Sequence, residues 1–240
     1  MSLSTFSSEE HQRLVDAEDR YGDYYVNAHN TTIMLSNVMM WPISDCDIFI
    51  RFLSQMKKYH TLSLVSTVRL HRIQAKMNLR YFLESTVNAA YSLAHTNTKI
   101  YVNCDPHSRH TNPQESSQDY KWIKEAYSSH SKAIQNIKDQ INKETAHANV
   151  INSQHNLLYV PERAEIHTSY FDFENDELVK IDLWQCAQAG LVAIDLILAV
   201  QKKHGGFLPS REAEGLNNII ADNDKLFLEL EATHGTQTTE

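Results

Sequence analysis

Turn residues are scarce in this sequence. Its 240 residues include only six glycines and five prolines, whereas sheet-rich folds need such residues at their many tight turns. Long helices joined by few loops are therefore expected. Cysteine is scarcer still: Cys46, Cys104 and Cys186 are odd in number and far apart, which argues against a disulfide framework. Basic charge is not in excess. With 22 Lys and Arg against 30 Asp and Glu, the formal net charge is -8, which argues against a basic coat for bulk nucleic-acid binding. The longest apolar run, AGLVAIDLILAV, has 12 residues and contains Asp195. It is too short to span a bilayer and is expected inside a core helix. The first residues, MSLSTFSSEEHQR, show neither a basic nor an apolar leader region, so the expectation is a cytoplasmic protein without a membrane partner. No Gly-x-Ser-x-Gly, P-loop or Rossmann fingerprint occurs.

What is present is ordinary globular composition, 42% apolar and 22% charged, with no repeat or linker that would divide residues 1–240 into more than one helical domain. Apolar residues recur at helical spacing from Glu9 to about Met40. Pro42 disfavours helix at Trp41, and Ser44 or Asp45 could cap the next helix. A stretch from Thr61 to His95 without Gly or Pro predicts one long helix. A polar loop follows, and then a helix from about Asp119 to Val150 with the stripe Ile123, Tyr127, Ile134, Ile137 and Ile141. Leu157, Tyr159, Ile166, Thr168 and Tyr170 alternate instead, which predicts a small β-hairpin near residues 155–173. From Asp176 to Lys203 the helix is apolar nearly all round and should be central. Gly205 and Gly206 end it, and Pro209 or Ser210 should open a last helix. The expected fold is all-α, a single bundle of about six helices with an inserted hairpin.

Polar residues on these helices mark the places where chemistry could lie. Arg69, Arg72, Lys76, Arg80 and Glu84 fall within about 120° of helical arc. Such a strip either faces an anion or pairs with acidic neighbours such as Asp16, Glu18 and Asp19. Arg80 and Glu84 sit beside Leu79, Phe82 and Leu83, where a charge needs a partner, and their i,i+4 spacing lets each supply it. Glu144 continues the apolar stripe of its helix and should point inward, with His147 on the flank, while Asp195 interrupts the most apolar helix. Arg80, Glu84, Glu144 and His147, with Asp195, are thus candidates for one interior site, for chemistry or for packing alone. Glu144-x-x-His147 is also half of a di-metal helical motif, to which Glu84 could add a ligand. The second Glu-x-x-His is missing, and Cys104-x-x-His107-x-x-His110 lacks a partner pair. No metal site and no cofactor is therefore assigned.

Leu79, Arg80, Glu84 and Ala89, followed on a later helix by His147 and Asn149, resemble a pattern in bacterial all-helical proteins of HEPN-like shape, over about a third of the chain. The resemblance implies a protein that binds or regulates through RNA or a nucleotide, with Arg69, Arg72 and Lys76 as the anion-binding strip. Active HEPN ribonucleases carry Arg and His separated by four to six residues on one helix. Here Arg69 with His71 and Arg163 with His167 are closer than that, so the usual dyad is lacking. Two other readings stand beside this one: a metal-dependent helical enzyme using Glu84, Glu144 and His147, and a structural or interaction protein with a buried polar cluster. The apolar segment IMLSNVMMW needs cover, which suggests a homodimer.

Overall fold

A computed structural model describes residues 2–42, 46–97, 113–145, 156–173 and 175–235. These residues form an all-α bundle with two small antiparallel ribbons. The helices are α1 (Leu3–Val15), α2 (Ala17–Tyr21), α3 (Asp23–Asn37), α4 (Asp47–Val68), α5 (Arg72–Ala94), α6 (Pro113–Ala126), α7 (Ser128–Thr145), α8 (Asp176–His204) and α9 (Leu216–Gly235). The strands are β1 (Met39–Pro42), β2 (Leu157–Val160), β3 (Glu165–Thr168) and β4 (Phe207–Pro209).

α8 takes the central place that its all-round apolar surface requires. Leu183, Ala187, Ile194, Leu196 and Ile197 are buried, and the helix packs against α3, α4, α5, α7 and α9. By length and by a mean hydropathy of 1.7 it could also cross a bilayer; here it has the surroundings of a core helix. Asn175 caps it, its side chain accepting from the Leu178 amide, and Lys202, Lys203 and His204 sit at its negative end.

Three helices expected to be continuous are broken. Glu9–Met40 becomes three segments, with Gly22 at φ +53 between α2 and α3, where glycine pays no Cβ penalty. Thr61–His95 breaks at Arg69–His71, although that stretch holds no Gly or Pro. There the Leu70 amide donates to the Thr67 carbonyl and the His71 amide to Ser66, closing a Schellman turn around Leu70 at φ +59. Leu70 is buried, and its carbonyl accepts from the Asp172 amide at 2.9 Å, which offsets the strain of a left-handed leucine. Asp119–Val150 divides at Tyr127 into α6 and α7, and its expected end lies outside the described residues.

The β2–β3 hairpin forms as expected, with Tyr159 opposite Ile166 and Leu157 opposite Thr168. The β1–β4 ribbon was not anticipated. It pairs Trp41 with Leu208 and Pro42 with Phe207, and buried Phe207 stacks on Phe49 with ring centroids 5.4 Å apart. Because Phe207–Pro209 is drawn into this ribbon, the last helix opens at Leu216 and not at Pro209. The Ser44 and Asp45 caps lie outside the described residues. The IMLSNVMMW segment finds much of its cover in its own chain, with Met34, Leu35 and Val38 buried.

Candidate functional site

The densest buried polar group joins α5, α7 and α8. Lys76 projects from α5 with its side chain only 4% exposed, and its ammonium meets Asp182 of α8 at 2.6 Å. Arg72, one turn earlier, donates from Nε to the other Asp182 oxygen at 2.8 Å. Lys76 also donates to the Gln185 amide oxygen, and Gln185 in turn donates to Gln140 of α7 at 2.9 Å. The Arg72 backbone amide donates to Asp172 at 2.6 Å, so this carboxylate caps the start of α5. Glu144 closes the outer side, 3.3 Å from Arg72 and 3.6 Å from Lys76.

Carboxylates outnumber cations in the cluster by three to two. Two cations meet Asp182 and Glu144, with Asp172 beside them. Burial opposes the Arg72 charge, but Asp182, Glu144 and Asp172 outweigh it and raise the guanidinium pKa. Open space is small: a cavity of about 20 Å³ touches Thr67, Leu70, Arg72, Asp172 and Asp182, room for roughly one water.

Beneath this layer lies a second buried group. His60 of α4 donates from Nε2 to the Cys186 carbonyl at 3.0 Å, which leaves Nδ1 as an acceptor 3.0 Å from the Thr32 hydroxyl, whose single proton the Ala28 carbonyl shares. Burial pushes the His60 pKa down to about 4, and the imidazole is neutral. Burial pushes the Cys186 thiol up to about 12, which removes the thiolate a nucleophile needs.

The sequence-derived candidates divide between two places. Arg80 pairs with Glu84 at 3.3 Å and donates to Asn142 at 2.8 Å, while Lys138 lies 3.5 Å from Glu84 and donates to the Tyr120 hydroxyl at 2.6 Å. Arg80 and Glu84 are about one-third exposed, a setting in which ion pairs contribute little to stability. Burial and the Glu84 charge raise the Tyr120 pKa, and burial lowers that of Lys138 despite Glu84.

Glu144 does not point inward. Its side chain is 41% exposed and reaches Arg72 and Lys76, not Arg80 and Glu84. Lys76 and Glu84 lie eight residues apart on α5, about 12 Å along the axis, so Glu84 and Glu144 belong to separate groups. Asp195 is on the surface as well, 58% exposed, and accepts from His130 of α7 at 2.8 Å. An aspartate on the most apolar helix finds water and a histidine at lower cost than an interior partner. His147, Cys104, His107 and His110 lie outside the described residues.

The expected anion strip is largely paired. Lys76 and Arg72 are held as above, and Arg69 lies 3.9 Å from Glu10. Pairing was one of the two readings, but the acidic partners are Glu10, Glu144 and Asp182, not Asp16, Glu18 or Asp19. Among the described residues no three His, Cys, Asp or Glu side chains group closely enough to hold a metal ion.

Asp182 and Gln185 were missed from sequence. Their signal was available: an i,i+3 polar pair within the apolar helix, on its buried side. A separate cleft of about 250 Å³ between α3 and α9 is lined by Asp23, Asn27, Asn30, Asp222 and Lys225, none of them singled out from sequence. These features define an all-α bundle whose α5–α7–α8 junction is ionic. The chain matches no protein-family model, no characterised protein and no solved structure.

Proposed function

We propose that this is a helical interaction protein with a structural or regulatory role. Its Arg72–Lys76–Asp182–Gln185 cluster sets how α5, α7 and α8 dock and is not a reaction centre. The observation that carries this reading is the Lys76–Asp182 pair, in which both side chains are about 95% buried and each charge is neutralised inside the cluster. The cavity that touches Arg72 and Asp182 among the described residues has room for only about one water, which favours packing over substrate binding there. A cytoplasmic location belongs to the same proposal, supported by the free buried thiols of Cys46 and Cys186.

The competing reading is HEPN-like binding of RNA or a nucleotide by Arg69, Arg72 and Lys76. It is favoured by the partial exposure of Arg69 and Arg72, at 35% and 20%. Glu144→Gln separates the two. It removes the exposed carboxylate that competes with a phosphate for Arg72 and Lys76, and it leaves Asp182 in place. Binding of an RNA oligonucleotide and of ATP would be measured at low and high salt, together with the melting temperature. The interaction reading expects no binding by either protein and a stability change below about 1 kcal/mol. Salt-sensitive binding that tightens in Glu144→Gln would replace it with the anion-binding reading.

A further inference from the structure

The β2–β3 hairpin is unlike the rest of the fold. Every residue from Pro161 to Thr168 is exposed, and among the described residues the ribbon packs on no helix to any appreciable extent. An isolated two-stranded ribbon is at best marginally stable in water. Register places Leu157, Tyr159, Ile166 and Thr168 on one face, and that face carries no charge. Ile166 is 64% exposed and Tyr159 55%. The two edges also differ. β3 carries Glu165 paired with His167 at 3.2 Å, the kind of charged edge that discourages strand addition, whereas β2 (Leu-Leu-Tyr-Val) carries none.

The hairpin leads directly to Tyr170, and Tyr170 meets Phe6 of α1 edge-on at 6.2 Å. Ser2, Leu3, Phe6 and Tyr170 line an open groove of about 170 Å³, with no charged side chain among the described lining residues. Leu3 is 88% exposed and Tyr170 73%. The uncharged face of the arm and the groove thus lie next to each other in the chain.

We propose that the hairpin and this groove form a two-fold interface with a second copy of the chain, each hairpin laying its Leu157–Tyr159–Ile166 face on the groove of the other. Three observations favour a second copy as the occupant. Arm and groove are adjacent on one chain, so a single two-fold axis between them buries both surfaces at once. Their exposed apolar side chains, Leu3, Leu157, Tyr159, Ile166 and Tyr170, amount to roughly 600 Å² per copy, at the upper end of the patches monomers leave bare and somewhat below the ~800 Å² per partner of a standard interface. Neither surface sets like charges against each other, which matters when each copy carries a formal charge of -8. The proposal does not rest on the function proposed above, because its residues are separate from the ion cluster.

Light scattering after size exclusion tests it on the full chain, with Ile166→Glu on the arm and Leu3→Glu on the groove as separate variants. Both positions are exposed, and far-UV circular dichroism verifies that folding is intact. The wild type should have twice the 27.6 kDa chain mass. Added salt should tighten the dimer by screening the net charge, and each variant should weaken it at least about ten-fold, the ~1.4 kcal/mol of one well-packed apolar contact. A wild-type mass of 27.6 kDa at all concentrations overturns the proposal. So does a dimer that neither variant weakens. A monomer whose hairpin amides resist hydrogen exchange assigns the cover to a segment of its own chain and overturns it equally.

Discussion

Lys76 and Asp182 show what pairing decides at the scale of one residue. Both side chains are about 95% buried, 2.6 Å apart, and a buried charge without its partner is far more costly than the pair is favourable. Asp182→Asn should therefore destabilise the fold by about 3–5 kcal/mol, read by denaturant unfolding. The double variant Lys76→Met, Asp182→Leu should recover most of that loss, since an apolar pair of similar volume replaces an ion pair at little net cost. A double variant as unstable as the single one would mean that the cluster contributes more than packing. Sequence disclosed the charges of α5 and, by i,i+4 spacing, the Arg80–Glu84 pair, but not the partners of Arg72 and Lys76 on other helices. Arg72 and Lys76 could be read from helical spacing, whereas Asp182 was overlooked in favour of Asp195. Both aspartates lie in the same apolar helix, and only the directions of the surrounding helices separate the buried one from the exposed one.

At the scale of elements, close approach explains what composition could not. Gly190 lies mid-way along α8 where a helix would ordinarily favour alanine. A Cβ there would stand 2.4 Å from the Thr31 methyl and 2.6 Å from His60 Nε2. The missing side chain is what lets α8 reach α3 and α4. Gly190→Ala should cost about 1–3 kcal/mol through overpacking, outweighing the gain in helix propensity, and thermal melting checks the sign. The break at Leu70 has the same character. Periodicity made α4 and α5 legible as helical, but a Schellman turn closed by a leucine leaves no signal in Gly or Pro content. The turn is held instead by burial of Leu70 and by the bond from the Asp172 amide, a residue 102 positions away in the chain.

The whole molecule has an acid limit set by His60. Neutral His60 touches Thr32, Cys186 and Phe82, with Gly190 against its ring, and among the described residues no charged group is within its contacts. Its pKa of about 4 when folded lies below the unfolded value of 6.5. Between those values the unfolded chain binds the proton and the folded chain does not, so stability rises with pH there. The His60 contribution is complete above about pH 6.5 and is lost as pH falls toward 4, by up to about 3 kcal/mol. Denaturant unfolding at pH 7, 5 and 4 should show that slope, and His60→Gln should flatten it; an unchanged slope in the variant would assign acid sensitivity elsewhere. The Asp195 pKa, lowered by its hydrogen bond from His130, acts at still lower pH and in the same direction.

The sequence by itself determined the class of fold and the rank of its helices. Scarce turn residues, a 3.6-residue apolar period and one helix apolar all round specify an α-bundle with α8 at its centre, because these are properties of local chain geometry and of burial. Alternation likewise disclosed the β2–β3 hairpin. Tertiary structure alone decided which charges meet between helices. Glu144 left the stripe that should have carried it inward and joined Arg72 and Lys76, while Arg80 and Glu84 formed a separate pair near the surface. The physical reason is that a helical period fixes the face a residue occupies, whereas a salt bridge depends on how far helices from distant parts of the chain slide and rotate against one another. That is set by volumes such as the gap at Gly190, not by any spacing along the sequence.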